Sequence, residues 1–233
     1  MLSSDDIAKM IDHSLLKPQL TREDIVKGCE IASKYNTISV CVRPCDIELA
    51  CKLLKDTDVK VTTVIGFPHG ANETDVKIYE AKKAIHRGAE ELDMVLNIGK
   101  LLSREYDYVL NEIKEIVDVA HRKKALVKVI LENCYLTPEL IEKASIIVEK
   151  AGADFVKTST GFGTSGANLE DLTIMRRSVS PRMEVKAAGG VRTLDAALEV
   201  RKVGATRFGA TATVAIMGEA IKREKEGTLR ELE

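Results

Sequence analysis

Residues 150–161 read Lys150-Ala151-Gly152-Ala153-Asp154-Phe155-Val156-Lys157-Thr158-Ser159-Thr160-Gly161, and they hold one full repeat of the chain's punctuation. A helical segment stops before Gly152, which fits a left-handed C-cap where a missing Cβ removes the steric penalty. Phe155–Thr160 then has the length and composition of a strand, and Gly161 turns the chain. The same mark recurs at Gly88 in His86-Arg87-Gly88-Ala89 and at Gly204 in Lys202-Val203-Gly204-Ala205.

Working outward, eight strands are expected: Met10–Leu15, Ile38–Val42, Lys60–Ile65, Glu91–Asn97, Leu126–Glu132, Phe155–Thr160, Glu184–Ala188 and Arg207–Ala210. Seven helices are expected between them and one after. Thr21 before Arg22-Glu23-Asp24 is an N-cap signal with an acidic first turn. Thr137-Pro138-Glu139 places proline at the first helical position. Ser103 is read as opening a helix whose apolar positions are Val109, Ile113, Ile116 and Val117. Strict alternation of strand and helix implies parallel strands and an α/β fold. An open sheet is the competing arrangement. Eight units in 233 residues favour closure, so the expectation is a single (β/α)₈ TIM barrel forming one domain over residues 1–233.

Composition narrows the function classes. The 35 basic and 36 acidic residues leave a net charge of −1, which argues against a nucleic-acid binder. No run of about eighteen apolar residues is present, so no membrane span is expected. The first residues are acidic without an apolar stretch, which gives no secretory signal. Five cysteines (Cys29, Cys41, Cys45, Cys51, Cys134) show no C-x-x-C pair and read as free thiols in a reducing cytoplasm. The four histidines are scattered, so Cys41 and Cys45 lack partners for a metal and none is expected. Cys41, on the second strand, is either open to alkylation by reactive aldehydes or an inert core thiol, with the second reading preferred.

In a barrel, function collects at the C-terminal ends of the strands. Polar residues embedded in strands are therefore the candidates: Asp93, Lys128, Lys157 and Lys186. One buried lysine would be read as snorkelling or paired. Three on consecutive strands, with an aspartate on the strand before, point to a shared inward-facing site. Burial and a neighbouring cation both lower a lysine pKa, and the neutral amine attacks carbonyls. The constellation suits Schiff-base chemistry, and spacing alone leaves open which lysine forms the imine. Thr160-Gly161-Phe162-Gly163, Gly189-Gly190-Val191-Arg192-Thr193 and Gly209-Ala210-Thr211 follow the last three strands as glycine-rich turns suited to phosphate. Arg192 either adds charge there or faces solvent.

At these residues the chain resembles the class I 2-deoxyribose-5-phosphate aldolase family. The matching segments are Ile11–Pro18, Ser39–Val42, Val64–Pro68, Glu91–Val95, Lys128–Glu132, Phe155–Gly161 and Val185–Arg192. The resemblance implies a (β/α)₈ barrel that reversibly cleaves 2-deoxy-D-ribose 5-phosphate to acetaldehyde and D-glyceraldehyde 3-phosphate, with no cofactor. It implies Lys157 as the Schiff-base lysine, Lys186 as the second lysine lowering its pKa, and Asp93 as proton donor and acceptor. Asp12 and Ser14 would lie near the substrate hydroxyls, and Lys128 would join the charge network. Gly161, Gly189, Gly190, Gly209 and Thr211 would contact phosphate. Ala212 departs from the hydroxyl residue usual after Thr211, Ser14 stands where Thr is commoner, and the tail lacks the terminal tyrosine of some members. A Schiff-base aldolase or transaldolase for another phosphorylated sugar, and a non-catalytic phosphometabolite-binding barrel, are the alternatives. A homodimer or homotetramer is expected.

Overall fold

The computed structural model describes residues 1–232. Eight parallel strands close on themselves in chain order: β1 (Ile11–Leu15), β2 (Ser39–Val42), β3 (Lys60–Ile65), β4 (Glu91–Val95), β5 (Leu126–Ile130), β6 (Phe155–Lys157), β7 (Glu184–Ala188) and β8 (Arg207–Ala210). The barrel shuts where β1 pairs with β8, Asp12 opposite Gly209 and His13 opposite Ala210. The expected strand cores match these spans. The expected ends ran long, because Leu96-Asn97, Leu131-Glu132 and Thr158–Thr160 leave the ladder and begin the loops above the barrel.

The helices are α1 (Ser4–Ala8), α2 (Arg22–Lys34), α3 (Ile47–Leu54), α4 (Thr74–His86), α5 (Ile98–Leu102), α6 (Tyr106–His121), α7 (Pro138–Lys150), α8 (Leu169–Ser178), α9 (Leu194–Lys202) and α10 (Thr213–Lys225). Two short ones, α1 and α5, add to the expected set. Ser103 caps the end of α5, and α6 starts three residues beyond it, at Tyr106 after the N-cap Glu105. The apolar periodicity located α6, but the serine hydroxyl marked the wrong boundary. Thr21 accepts from Asp24 N and closes a capping box, and Thr137 accepts from Leu140 N ahead of Pro138. Gly88, Gly152 and Gly204 all sit at positive φ just past their helices.

Strand side chains alternate between barrel interior and helix layer. The outward positions are the apolar ones. Val40, Val42, Leu92, Met94, Val127, Val129, Val156, Val185 and Phe208 are buried against Ile25, Ala81, Ile113, Ile116, Ala144, Leu172 and Ile216 of the helices. Each such valine or leucine withdrawn from water contributes roughly 1.5–3 kcal/mol. This outer core fixes each strand's register and so decides which residues must face inward, among them Asp12, Glu91, Asp93, Lys128, Lys157, Lys186 and Arg207. Among the described residues no helix is long and apolar enough to cross a membrane.

Candidate active site

Inward positions of seven strands meet in one ion network. β1 supplies Asp12, β4 supplies Glu91 and Asp93, β5 Lys128, β6 Lys157, β7 Lys186 and β8 Arg207, and Ser39 of β2 completes it with a hydrogen bond to Asp12 Oδ1 at 2.8 Å. Asp93 is the hub. Its Oδ2 accepts from Lys157 Nζ at 2.6 Å and Lys186 Nζ at 2.7 Å, and its Oδ1 accepts from Lys128 Nζ at 2.9 Å. Lys128 also donates to Glu91 at 2.5 Å. Arg207 forks onto both Glu91 oxygens at 2.7 and 3.0 Å and reaches Asp12 at 3.2 Å. Lys186 forms a second ion pair with Asp12.

Charge balance separates the lysines. Lys128, Lys157, Lys186 and Arg207 face Asp12, Glu91 and Asp93, so the network holds one more basic group than it has carboxylates. It is neutral when one amine gives up its proton. Burial lowers the pKa of Lys157, and the Lys186 cation lowers it further against the pull of Asp93. Burial also opposes charge on Lys186 and Lys128, but Lys186 sits between Asp12 and Asp93, and Lys128 among Asp93, Glu91 and Asp12. Both are held above the ordinary lysine value. Burial works against ionised Asp93, yet Lys128, Lys157 and Lys186 outweigh it and hold the carboxyl well below the usual range. Lys157 is thus the amine that the surroundings favour as neutral.

Above the network lies a cleft of about 270 Å³ lined by Ser14, Lys17, Lys157, Gly161, Gly189, Gly190, Arg192, Gly209 and Thr211, among others. Among the described residues, Lys157 is the one network cation that also lines it. Asp12, Asp93, Lys128 and Lys186 lie in the buried floor. The candidates therefore divide into a floor and a rim, with Lys157 at their junction. Arg192 lines the rim and is also exposed at the start of α9, so both readings of it, added charge beside the cleft and a solvent-facing helix start, remain open.

The rim is built from backbone. Gly161, Gly189 and Gly190 have φ of +85°, +81° and +98°. At Gly189 a Cβ would also lie 2.9 Å from Gly166 Cα, because the β6 loop crosses here and Ala167 N–H bonds Gly189 O at 2.9 Å. Gly209 has ordinary backbone geometry and leaves room beside Ser14 Oγ. Thr158 ties β6 to β7 through its hydroxyl, accepting from Ala188 N–H at 3.0 Å and donating to Ala188 O at 3.1 Å. α9 and α10 begin just after Arg192 and Thr211, so the positive ends of two helix dipoles lie beside this rim.

Several contributors were not singled out from sequence. Glu91 and Arg207 open their strands, where a charge reads as a solvated strand end, although they are embedded like the lysines. Glu132 adopts a left-handed backbone (φ 57°) and its buried carboxylate accepts Thr160 N–H at 3.1 Å and the Thr160 hydroxyl. Phe162 N–H in turn bonds Thr160 Oγ1 at 3.0 Å. This chain of hydrogen bonds orders the loop after β6. A left-handed glutamate gives no sequence signal, because ordinarily Gly or Asn occupies that region. Cys41 faces inward, and burial followed by the Asp93 carboxylate pushes its thiol up to about 12.

A model of the DeoC/LacD family of aldolases matches residues 7–224. The deoxyribose-phosphate aldolase of Clostridium perfringens (strain 13 / Type A) is 55% identical over 215 residues, covering 92% of this chain and 96% of that protein. The deoxyribose-phosphate aldolase of Thermococcus gammatolerans is 54% identical over 221 residues, covering 94% and 98%. The tetrameric deoxyribose phosphate aldolase structure from Aeropyrum pernix superposes with a TM-score of 0.87 at 33% identity, over 93% of this chain and 92% of that one.

Proposed function

The chain belongs to the DeoC/LacD aldolase family, and from that premise we propose that it reversibly cleaves 2-deoxy-D-ribose 5-phosphate to acetaldehyde and D-glyceraldehyde 3-phosphate through an imine at Lys157. The observation that carries the reading is the combination found at Lys157 alone among the three network lysines. Its amine opens on the cleft, and its surroundings favour the neutral form.

Neutral Lys157 adds to the open-chain aldehyde, and loss of water gives the imine. Once protonated, the imine withdraws electrons, so the C2–C3 bond breaks as the C3 hydroxyl loses its proton. D-glyceraldehyde 3-phosphate leaves, and its phosphate is held by Gly161, Gly189, Gly190, Gly209 and Thr211 with Arg192 beside them. Asp93 lies 2.6 Å from the amine and stabilises the positive iminium. Since Asp93 stays ionised it holds no proton to give, so Lys186 and water carry the protons while Asp93 orients Lys186. Protonation of the enamine carbon and hydrolysis release acetaldehyde and restore Lys157. Positioned acid–base help of this kind is worth typically ~10²–10⁴-fold. Asp12 orients Lys186, Lys128 holds Asp93, and Ser14 meets the substrate hydroxyls.

In this reading residues 1–233 form one catalytic domain. The chain assembles as a homodimer or homotetramer, in keeping with the tetramer of the Aeropyrum pernix relative. It works in the cytoplasm, in keeping with five free cysteines.

Borohydride reduction in the presence of acetaldehyde tests the proposal. The expected product carries one ethyl group on the peptide containing Lys157. An unmodified Lys157, with cleavage intact in Lys157→Ala, overturns the assignment.

A further inference from the structure

Glu91 opens β4 and Arg207 opens β8, so both enter the network from the strand starts, away from the cleft. Neither lines the cleft, and neither touches a molecule bound there. They are nonetheless among the most heavily engaged side chains of the barrel. Arg207 Nη1 and Nη2 fork onto Glu91 Oε2 and Oε1 at 2.7 and 3.0 Å. Glu91 Oε2 also accepts from Lys128 Nζ at 2.5 Å and from the Thr62 hydroxyl at 2.9 Å. The Phe155 ring lies 5.0 Å from Arg207 Cζ and 5.8 Å from Lys128 Nζ, so one buried aromatic ring serves both cations.

Arg207 differs in kind from the lysines. A guanidinium keeps its proton in any protein environment, whereas a buried lysine gives its proton up. Arg207 Nη1 also reaches Asp12 Oδ1 at 3.2 Å. It therefore shares Asp12 with Lys186 and Glu91 with Lys128. Asp12, Glu91 and Asp93 are thus matched by Lys128, Lys186 and Arg207 before Lys157 is counted. Lys157 enters as a fourth basic group and pairs with Asp93 alone. Other groups face it too. Cys41 of β2 holds its thiol proton, with a pKa pushed up to about 12. Lys17 and Arg192 line the cleft beside it, and Glu132 bonds Thr160 at the cleft wall.

We propose that Glu91 and Arg207 are positioning residues for the reaction at Lys157: Arg207 supplies the fixed charge that makes a fourth cation one too many, and Glu91 holds that charge in the dry floor. This rests on the aldolase reading above. The pair acts through Asp12, Lys128 and Asp93 and meets no reacting atom. Its two members pull Lys157 in opposite directions. Arg207→Met leaves three lysines facing three carboxylates, with Glu91 still paired to Lys128, so Lys157 keeps its proton to higher pH. Glu91→Gln leaves four basic groups facing two carboxylates, so Lys157 gives up its proton at lower pH. One unit charge roughly 10 Å away, at an effective dielectric of about 20, moves an amine by about one pH unit.

The test follows the acid limb of the kcat/KM profile for cleavage of 2-deoxyribose 5-phosphate, which reports ionisation in the free enzyme. Arg207→Met is expected to move the limb up by about one pH unit, and Glu91→Gln to move it down by about one. Arg207→Lys keeps the charge and should leave the limb near that of the parent. The double variant Glu91→Gln/Arg207→Met removes both charges and should bring the limb back toward the parent. Residues that merely brace the barrel would lower stability and rate without moving the limb. Unmoved limbs, or limbs that move the same way in both single variants, overturn the proposal. If Arg207→Met does not fold, the isosteric Glu91→Gln decides, and a limb that stays or rises there overturns it. Borohydride trapping of acetaldehyde on the parent runs alongside. Absence of an adduct at Lys157 overturns the aldolase reading itself, while an adduct with unmoved limbs overturns only the role of the pair.

Discussion

Lys157 and Lys186 donate to the same atom, Asp93 Oδ2, at 2.6 and 2.7 Å. Two ammonium groups on one carboxylate oxygen repel each other in a medium poor in water. The repulsion is relieved when one becomes neutral, and Lys186 has Asp12 as an additional carboxylate partner. Lys157 has the weaker claim on its proton, and it is the one facing the cleft.

Replacing the lysines one at a time should expose this inequality. Lys128→Met leaves Glu91 and Asp93 short of a cation in a dry interior and is expected to cost about 3–5 kcal/mol of stability. Lys157→Met removes a partner of Asp93 alone, which keeps Lys128 and Lys186, and should cost clearly less, while abolishing the borohydride adduct. Urea unfolding of both variants reads the order, and equal losses would refute the charge-balance argument.

Lys186→Met should move the acid limb of the kcat/KM profile to higher pH. The Lys186 cation helps hold the Lys157 pKa down, and in the proposed reaction the neutral Lys157 amine is the reactive form. Without that cation, more alkali is needed to reach the same neutral fraction. A lower rate with the limb unmoved would leave Lys186 as a proton carrier only.

Gly189→Ala should act on the phosphate end. Its φ of +81° and the 2.9 Å approach to Gly166 both resist a Cβ. The variant should lose at least about 1 kcal/mol of stability. KM for 2-deoxyribose 5-phosphate should rise more than KM for 2-deoxyribose. Equal increases would mean the rim does not discriminate the phosphate.

Acid stability should depend on His13. Burial lowers its pKa from 6.5 to about 4, and its Nδ1 lies 2.8 Å from Thr213 Oγ1 at the start of α10. As pH falls below 6.5 the unfolded chain takes up a proton that the folded chain refuses until about 4. Stability is therefore full above that window and lost within it, by about 3 kcal/mol over the whole range. Urea midpoints of the parent and His13→Asn at pH 7 and pH 5 should converge toward the acid side. Parallel pH slopes would exclude His13 as the source.

The alternating strand and helix pattern, the glycines at positive φ after α4, α7 and α9, and the caps at Thr21 and Thr137 were legible in the sequence. Each is a local preference of a few consecutive residues, and closure of eight such units followed from their number. Lys128, Lys157, Lys186 and Asp93 were legible as misfits, charged residues where a strand should be apolar. What the sequence could not rank was the lysines themselves, apart from their resemblance to a family motif. Their inequality depends on Asp12 in β1, Glu91 in β4 and Arg207 in β8, residues brought within a few ångströms only when the barrel closes. Coulomb interactions fall with distance through space and not along the chain. The same holds for Phe162, which gains its edge contact with Phe67 only in the folded chain. Local sequence thus determined the elements and the kind of chemistry, while tertiary packing decided which amine opens on the cleft in surroundings that favour its neutral form.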